Sequence, residues 1–157
     1  TLMKIVTECG KEIVKMKVWT NGCFDVLHRG HLDLFKFCKQ LAGHDGEFIV
    51  GVDSDEKIKK DKGKNRPINC LQDRMEMLNS LIYVDKVIPF SSSSELEKTI
   101  KWIHPSVMVI GSDWKDKDVI GKKWTDKLMF FDRVGDYSTT KILNTHGKGV
   151  DPYLQTR

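Results

Sequence analysis

Short apolar runs alternate with amphipathic segments along most of this chain, and this alternation limits the folds that it can adopt. Runs typical of buried strands lie at residues 16–22, 47–55, 84–90, 106–114 and 127–133. Segments with apolar residues at helical spacing lie between them, at residues 31–42, 71–82 and 91–105. Strands that alternate with helices in this way form parallel sheets. The pattern therefore predicts an α/β fold with one doubly wound, five-stranded parallel sheet and helices on both faces.

Three local details complete this expectation. Ser94 is a natural N-cap, so we expect the helix within 91–105 to begin there and to stop before Pro105. Residues 56–69 are charged and end in Asn-Arg-Pro, which indicates a loop. A loop at 136–143 turns into a last short helix, and residues 144–157 show no periodicity. We expect a single domain over 1–157, with its core at about 17–143 and an irregular tail at 144–157 that is a loose arm or an oligomer contact.

Composition narrows the class of protein. Hydrophobic residues make up 39% and charged residues 31% of the chain, an ordinary balance for a soluble globular protein. No apolar run approaches the roughly 20 residues that cross a bilayer, and no signal peptide is evident at the start. The four cysteines form no CxxC pair, which favours reduced thiols in the cytoplasm. A formal charge of +4 without interleaved aromatic residues argues against nucleic acid as the partner.

The most informative motif is the segment 21–31, Asn-Gly-Cys-Phe-Asp-Val-Leu-His-Arg-Gly-His, between the first strand and the first helix. Gly22 permits a tight turn, and Gly30 lets the backbone approach a ligand. The positive end of the following helix favours a phosphate group. His28 and His31 lie three residues apart and can donate hydrogen bonds to the same phosphoryl group, where such donors stabilise developing charge.

Other interpretations of this segment stay open. Two histidines at this spacing bind zinc in some proteins, but a closed site needs about four ligands, and Cys23 and Asp25 do not complete a standard set. One histidine can instead serve as a capping or core residue. Cys23 can act as a nucleophile, although no neighbouring pattern marks it as activated. The lysine-rich stretch at 57–64 is either a solvated loop or a clamp for a polyphosphate.

The motif His28-Arg29-Gly30-His31 matches the HxGH motif of the nucleotidyltransferase superfamily that includes the cytidylyltransferases. Four further segments follow in the order found in the adenylyltransferase domain of bacterial heptose-phosphate enzymes: VDSDEKIKKDKGKNRPIN (52–69), QDRMEML (72–78), GSDWKDKDVIG (111–121) and DYSTTKIL (136–143). The chain resembles this domain over about residues 17–143. It is also similar to a sister group, the glycerol-3-phosphate cytidylyltransferases. The resemblance implies a Rossmann-like α/β fold.

The resemblance also implies roles for individual residues. In the family, the histidines that match His28 and His31 contact the triphosphate and stabilise the displaced phosphoryl group. Lys62 and Arg74 match residues that bind phosphates, and Asp25 matches a position near the acceptor phosphate or the metal. The other positions expected to bind the nucleotide or its phosphates are Asn21, Gly22, Cys23, Phe24, Gly30, Asp113, Trp114, Ser138, Thr139 and Thr140. Trp114 as a simple core residue, and Ser138 as a helix N-cap, are the alternatives to those roles.

The expected reaction is attack by an acceptor phosphate on the α-phosphorus of a nucleoside triphosphate, with Mg²⁺ bridging the phosphates and pyrophosphate leaving. The segments at 62–69 and 111–121 lie closer to the heptose pattern, which favours ATP and a heptose 1-phosphate. CTP with glycerol 3-phosphate is the alternative, and a nucleotide-binding module without turnover is a third possibility. The resemblance further implies a homodimer.

Overall fold

The fold is built from seven strands and five α-helices in the part of the chain that the computed structural model describes, residues 4–6 and 12–145. The strands are β1 (Lys4–Val6), β2 (Glu12–Val14), β3 (Lys17–Gly22), β4 (Glu47–Asp53), β5 (Lys86–Phe90), β6 (Val107–Gly111) and β7 (Lys127–Phe131). The helices are α1 (Arg29–Ala42), α2 (Asp55–Lys62), α3 (Leu71–Asn79), α4 (Ser93–Ile103) and α5 (Thr139–Thr145). Short 3₁₀ turns follow β6 and precede β7.

Five of the strands form one sheet in the order β5-β4-β3-β6-β7, and every pairing in it is parallel. Strand β3 is central, so that Val18 pairs with Phe48 on one side and with Val107 on the other. The predicted five-stranded parallel sheet is therefore confirmed. The antiparallel pair β1-β2 forms a separate two-stranded sheet that the apolar pattern did not predict.

Two hydrophobic cores lie on opposite faces of this sheet. Successive residues of a strand point to opposite faces, so the neighbours Val18 and Trp19, both fully buried, enter different cores. The first core contains Phe35 of α1 and Leu78 of α3. The second core contains Ile100 of α4. Helices thus cover both faces, as expected of a doubly wound fold.

Helix α2 corrects the prediction of a loop at 56–69. The Ser54 side chain accepts a hydrogen bond from the Lys57 N–H (3.2 Å) and caps the helix, while Lys57 forms an ion pair with Asp61 one turn later (2.6 Å). Ile58 is 1% exposed and is the helix's only residue buried in the core. One apolar residue in eight gives no periodic signal, and for that reason the helix was missed. The loop begins only after Lys62.

Two helix boundaries also differ from the prediction. The N-cap of α4 is Ser92, whose side chain accepts from the Glu95 N–H (3.1 Å), so the choice of Ser94 was wrong. The Glu95 carboxylate in turn accepts from the Ser91 N–H (2.7 Å), and this return bond favours the earlier start. Helix α5 runs to Thr145 and so occupies the first two positions of the predicted tail. The rest of the tail, 146–157, lies outside the described residues.

Candidate active site

A cavity of about 620 Å³ opens at the carboxyl ends of the central strands. This is the edge at which ligands bind in open α/β sheets. The segments after β3, β4, β6 and β7 all contribute side chains to it. The predicted site residues that line it are Asn21, Gly22, Cys23, Phe24, Asp25, His28, Gly30, His31, Lys62, Asp113, Trp114, Ser138, Thr139 and Thr140. The structure therefore brings together all of the predicted site residues except Arg74.

The two histidines of the HxGH motif are locked in one orientation at the start of α1. His28 is the N-cap, and its Nδ1 accepts a hydrogen bond from the Gly30 N–H (3.1 Å). The Nδ1 of His31 accepts from the His28 N–H (3.3 Å), which completes a capping box, and the two rings stack with centroids 3.8 Å apart. An Nδ1 that accepts carries no proton, so each neutral ring has its hydrogen on Nε2. Both histidines thus keep one donor for a ligand.

Burial and nearby positive charge keep this pair neutral. The pKa of His31 is lowered to about 3, mainly by burial and in addition by the positive charges of Arg133 and Lys62 and the charge that His28 carries when it is protonated. Burial also lowers the pKa of His28, and Arg133 adds to the effect. Near pH 7 both rings are therefore neutral donors, suited to stabilise charge that develops on a phosphoryl group.

The loop between β3 and α1 turns at Phe24 rather than at Gly22. Phe24 has φ 47°, in the left-handed region, whereas Gly22 ends the strand and has no positive φ. A Cβ on Gly22 would lie 3.2 Å from the Phe24 ring. Phe24 is 6% exposed and packs edge-on against His31, with ring centroids 5.3 Å apart. A Cβ on Gly30 would lie 3.0 Å from His28 Cε1, so the glycine there leaves room for the imidazole.

Cys23 is held as a neutral thiol. Its Sγ donates a hydrogen bond to Asp53 Oδ2 (3.3 Å), and burial, followed by the charge of Asp53, raises the pKa of the thiol. Nucleophilic cysteines need a lowered pKa. The environment therefore argues against the alternative in which Cys23 attacks the substrate.

Asp25 anchors the loop that follows α2. Its carboxylate is fully buried and accepts hydrogen bonds from the Arg66 Nε (2.8 Å), the Ile68 N–H (2.8 Å) and the Asn69 N–H (2.8 Å). Burial alone would raise the pKa of this carboxyl group, but the hydrogen bonds from Asn69, Ile68 and Arg66 outweigh it and the pKa is lowered. The carboxylate is thus ionised and its oxygens are occupied by protein donors.

Arg74 lies behind the cavity and does not line it. Its side chain is fully buried and donates to the backbone carbonyls of Asn69 (3.0 Å), Cys23 (2.8 Å) and Asp53 (2.8 Å). It also forms an ion pair with Asp55 (2.7 Å). Because Arg74 does not line the cavity, its position does not support the direct contact with phosphates that was expected. The guanidinium instead ties together the chain segments after β3 and β4 and the segment before α3.

The start of α5 forms another wall of the cavity. The Ser138 hydroxyl accepts a hydrogen bond from the Lys141 N–H (3.1 Å), so Ser138 is an N-cap and also lines the cavity. The Thr139 hydroxyl donates to the Val26 carbonyl (3.0 Å), which connects α5 to the loop before α1. Trp114 is 44% exposed at the cavity wall, so its alternative assignment to the core is wrong.

Three cationic residues in the cavity were not assigned to the site from the sequence. These are Lys57, Arg66 and Arg133. Lys57 forms ion pairs with Asp53 (3.2 Å) and Asp61 (2.6 Å), and Arg133 lies 3.7 Å from Asp113. The lysine-rich stretch at 57–64 includes Lys57 and so gives a signal for it. No motif or spacing in the sequence distinguishes Arg66 and Arg133 from arginines outside the site.

The acidic and histidine side chains of the site do not assemble a metal centre by themselves. Among the described residues, no group of three or more His, Cys, Asp or Glu side chains is placed to hold a metal ion. Magnesium in phosphate-transferring sites is held mainly by substrate phosphates and water, with one or two carboxylates. The cavity is consistent with that mode, since it has cationic side chains and, in Asp113, a carboxylate whose only ion pair among the described residues is a long one to Arg133 (3.7 Å). Among the described helices, none is both long and apolar enough to cross a membrane.

Comparisons with known proteins identify the family of this chain. A family model described as cytidylyltransferase-like matches residues 19–148. The bifunctional protein HldE of Helicobacter hepaticus is 41% identical over 128 residues, which is 82% of this chain and 26% of that protein. The HldE protein of Campylobacter fetus subsp. fetus is 38% identical over 130 residues, 83% of this chain and 28% of that protein. The chain therefore spans about a quarter of the length of these relatives.

A solved structure shares the fold. The lipopolysaccharide core biosynthesis protein from Thermoplasma volcanium GSS1 superposes with a TM-score of 0.58 and 23% identity, covering 78% of this chain and 98% of that one. This likeness concerns the fold. The family match extends over most of the chain and includes the cavity's strand ends and both histidines. The chain belongs to the cytidylyltransferase-like family and is a nucleotidyltransferase.

Proposed function

We propose that the chain transfers AMP from ATP to a sugar 1-phosphate of the D-glycero-D-manno-heptose type and releases pyrophosphate. The observation that carries this proposal is the pair of neutral Nε2–H donors of His28 and His31, fixed at the N-terminus of α1 and lining the cavity. Helix N-termini favour phosphate groups, and donors fixed in advance stabilise the charge that builds on them.

The reaction needs no covalent enzyme intermediate. An oxygen of the acceptor phosphate forms a bond to the α-phosphorus of ATP, while the bond from that phosphorus to the bridging oxygen of pyrophosphate breaks. A phosphate monoester is already ionised near neutral pH, so no general base is required. The task of the protein is alignment and charge stabilisation. His28 and His31 donate to the phosphoryl oxygens, and Lys62 supplies positive charge at the cavity wall.

Mg²⁺, bound through the nucleotide phosphates, would neutralise part of their charge. Asp113 would be the carboxylate of the cavity most available to hold such an ion or its water ligands. Asp53 is less available, because it already accepts a hydrogen bond from Cys23 and pairs with Lys57, and Asp61 also pairs with Lys57. Asp25 is a poor ligand because its carboxylate already accepts bonds from Arg66, Ile68 and Asn69. Arg74 acts from behind the cavity as a positioning residue, since its side chain is buried away from it.

The choice of ATP and a heptose phosphate rests on sequence similarity. The segments at 62–69 and 111–121 resemble the heptose pattern, and the relatives with the HldE name are about 40% identical to this chain over more than four fifths of its length. Lipopolysaccharide core biosynthesis is the process named for the similar Thermoplasma structure, and synthesis of a surface polysaccharide is the role that we propose here. A cytoplasmic location and a homodimer remain predictions. Light scattering after gel filtration measures the molar mass in solution and so tests the homodimer.

The deciding experiment is an assay of pyrophosphate release with ATP, CTP, GTP or UTP, each with heptose 1-phosphate or glycerol 3-phosphate, in the presence of Mg²⁺. We expect turnover with ATP and heptose 1-phosphate. The variant His28→Ala should lower kcat by about 10²–10³, the usual cost of losing one fixed donor. His44→Ala is the matched control, because the His44 side chain is fully exposed outside this cavity.

Turnover with CTP and glycerol 3-phosphate alone would keep the mechanism and reject the proposed substrates. No turnover with any pair, together with tight nucleotide binding, would identify a binding module instead of an enzyme. Equal activity of His28→Ala and the wild type would reject the role of the histidine pair.

A further inference from the structure

Arg66 differs from the other cationic side chains of the cavity because only one edge of its guanidinium group is bonded to the protein. Its Nε donates to Asp25 (2.8 Å), and this carboxylate is fully buried. The Arg66 side chain lines the cavity and is 16% exposed. Its two Nη groups have no hydrogen-bond partner among the residues that the structure describes. An arginine that is fixed through Nε alone keeps four N–H donors available.

The surroundings explain why Arg66 is held in this way. Asp25 accepts from Arg66 and from the N–H groups of Ile68 and Asn69, so one carboxylate fixes both the guanidinium and the backbone next to it. The Asn69 side chain donates to the Asp25 carbonyl (2.6 Å) and closes the contact from the other side. A guanidinium that is oriented before a ligand arrives loses little conformational freedom on binding.

The free edge of Arg66 matches the geometry of a phosphate group. Two Nη groups form a planar fork whose parallel N–H bonds bind phosphate oxygens in a bidentate way. Two other cations of the cavity are held differently. Lys57 already pairs with two carboxylates, at 3.2 and 2.6 Å, whereas Arg133 has only a long contact with Asp113 (3.7 Å) and is not fixed by a hydrogen bond as Arg66 is. Arg66 is thus prepared for an anion that the protein itself does not supply.

We propose that Arg66 binds a phosphate group of a substrate through its two Nη groups, and that Asp25 is the positioning residue that holds it. This inference rests on the proposed function and adds a substrate-binding residue to it. It also assigns Asp25 a role through Arg66 instead of direct contact with the acceptor or a metal. The phosphate belongs either to the nucleotide or to the acceptor sugar, and the test separates these two sources.

The test compares Arg66→Lys with the wild type. Lysine keeps the charge but cannot bond to Asp25 and present a planar fork at the same time. Calorimetry with ATP and Mg²⁺, with pyrophosphate and with heptose 1-phosphate measures each source separately, and steady-state kinetics give KM for both substrates. We expect at least about a tenfold loss of affinity for one phosphate source, the usual effect of losing a charge-assisted bidentate contact, while affinity for the other is kept.

Weaker binding of ATP and pyrophosphate would assign the group to the nucleotide, and weaker binding of heptose 1-phosphate would assign it to the acceptor. Wild-type affinity for all of these ligands would overturn the proposal. Arg29→Lys is the matched control, since the Arg29 Nε also bonds to a carboxylate, that of Asp33 (2.9 Å), but Arg29 does not line the cavity.

The role of Asp25 is tested by Asp25→Asn, alone and combined with Arg66→Lys. If Asp25 acts through Arg66, the second substitution adds less than about twofold to the loss caused by the first, whereas independent roles would multiply the two losses. Circular dichroism shows whether the Asp25 variants fold, and the Arg66→Lys measurement decides the phosphate contact in either case. Pyrophosphate binding needs no turnover, so failure of the proposed reaction and failure of the Arg66 contact give different results.

Discussion

Acid should destabilise the protein through His31 well above the pH at which carboxylates titrate. The pKa of His31 is lowered to about 3 in the folded chain, mainly by burial, against an ordinary value of 6.5. Below pH 6.5 the His31 side chain therefore binds a proton in the unfolded chain, whereas in the folded chain it stays neutral until the pH approaches 3. Stability rises with pH wherever the unfolded state binds more protons, so it falls as the pH is lowered through this window.

The size of the effect follows from the difference between the two pKa values. Taken in full, that difference corresponds to about 5 kcal/mol at very low pH and to about 2 kcal/mol between pH 7 and pH 5. Solvent at the open side of the cavity reduces the penalty of charging the ring, so we expect about 1 kcal/mol in that range. His28 contributes in the same direction, because its pKa is lowered too.

The measurement is urea unfolding at pH 7 and pH 5 for the wild type and for His31→Gln. Glutamine does not titrate and is a standard partner at this position of a capping box, so the bond from the His28 N–H can be kept. We expect the variant to lose about 1 kcal/mol less than the wild type between the two pH values. The histidines outside the His28–His31 pair are common to both proteins and cancel. An equal loss in the two proteins would refute the reasoning.

Three further outcomes are expected. Gly51→Ala should lower the free energy of unfolding by about 1–3 kcal/mol in urea titrations, because its Cβ would lie 2.3 Å from Cζ2 of the buried Trp19; an unchanged midpoint would contradict this packing. Arg74→Met should cost about 3 kcal/mol and abolish turnover, since it leaves buried carbonyls without donors; a stable, active variant would remove its positioning role. Iodoacetamide labelling followed by mass spectrometry should modify the exposed Cys70 before Cys23, whose thiol pKa is raised; the reverse order would contradict the neutral thiol.

The five strands of the parallel sheet and most helices could be predicted from the sequence, because their signal is local. Within the run at 47–55, residues 48–52 are all apolar, and β4 is buried at all but its first residue. Helix α2 has no such signal, because its single buried residue, Ile58, leaves its other faces charged. What stabilises it is a cap at Ser54, an ion pair from Lys57 to Asp61, and the burial of Ile58, which exists only in the folded chain.

The residues of the candidate site also divide into those that a local sequence pattern predicts and those that it does not. Its motif residues were identified because glycine and histidine spacing marks a loop before a helix. The position of Arg74 was not, because its acceptors come from residues 21 and 51 positions away, Asp53 and Cys23. The free edge of Arg66 likewise depends on Asp25, 41 positions earlier in the chain. Pairings of this length exist only after the strands are aligned, and no local pattern records them.

The hydrogen bonds of Arg74 have a consequence for how this protein can change. Three of its four partners are main-chain carbonyls, at Cys23, Asp53 and Asn69. Every amino acid carries such a carbonyl, so the side chains at these positions are free to vary without loss of the anchor. A variant library that randomises these three positions while keeping Arg74 should therefore retain folded members. The backbone around the cavity is in this way held by Arg74 independently of the side chains at these three positions.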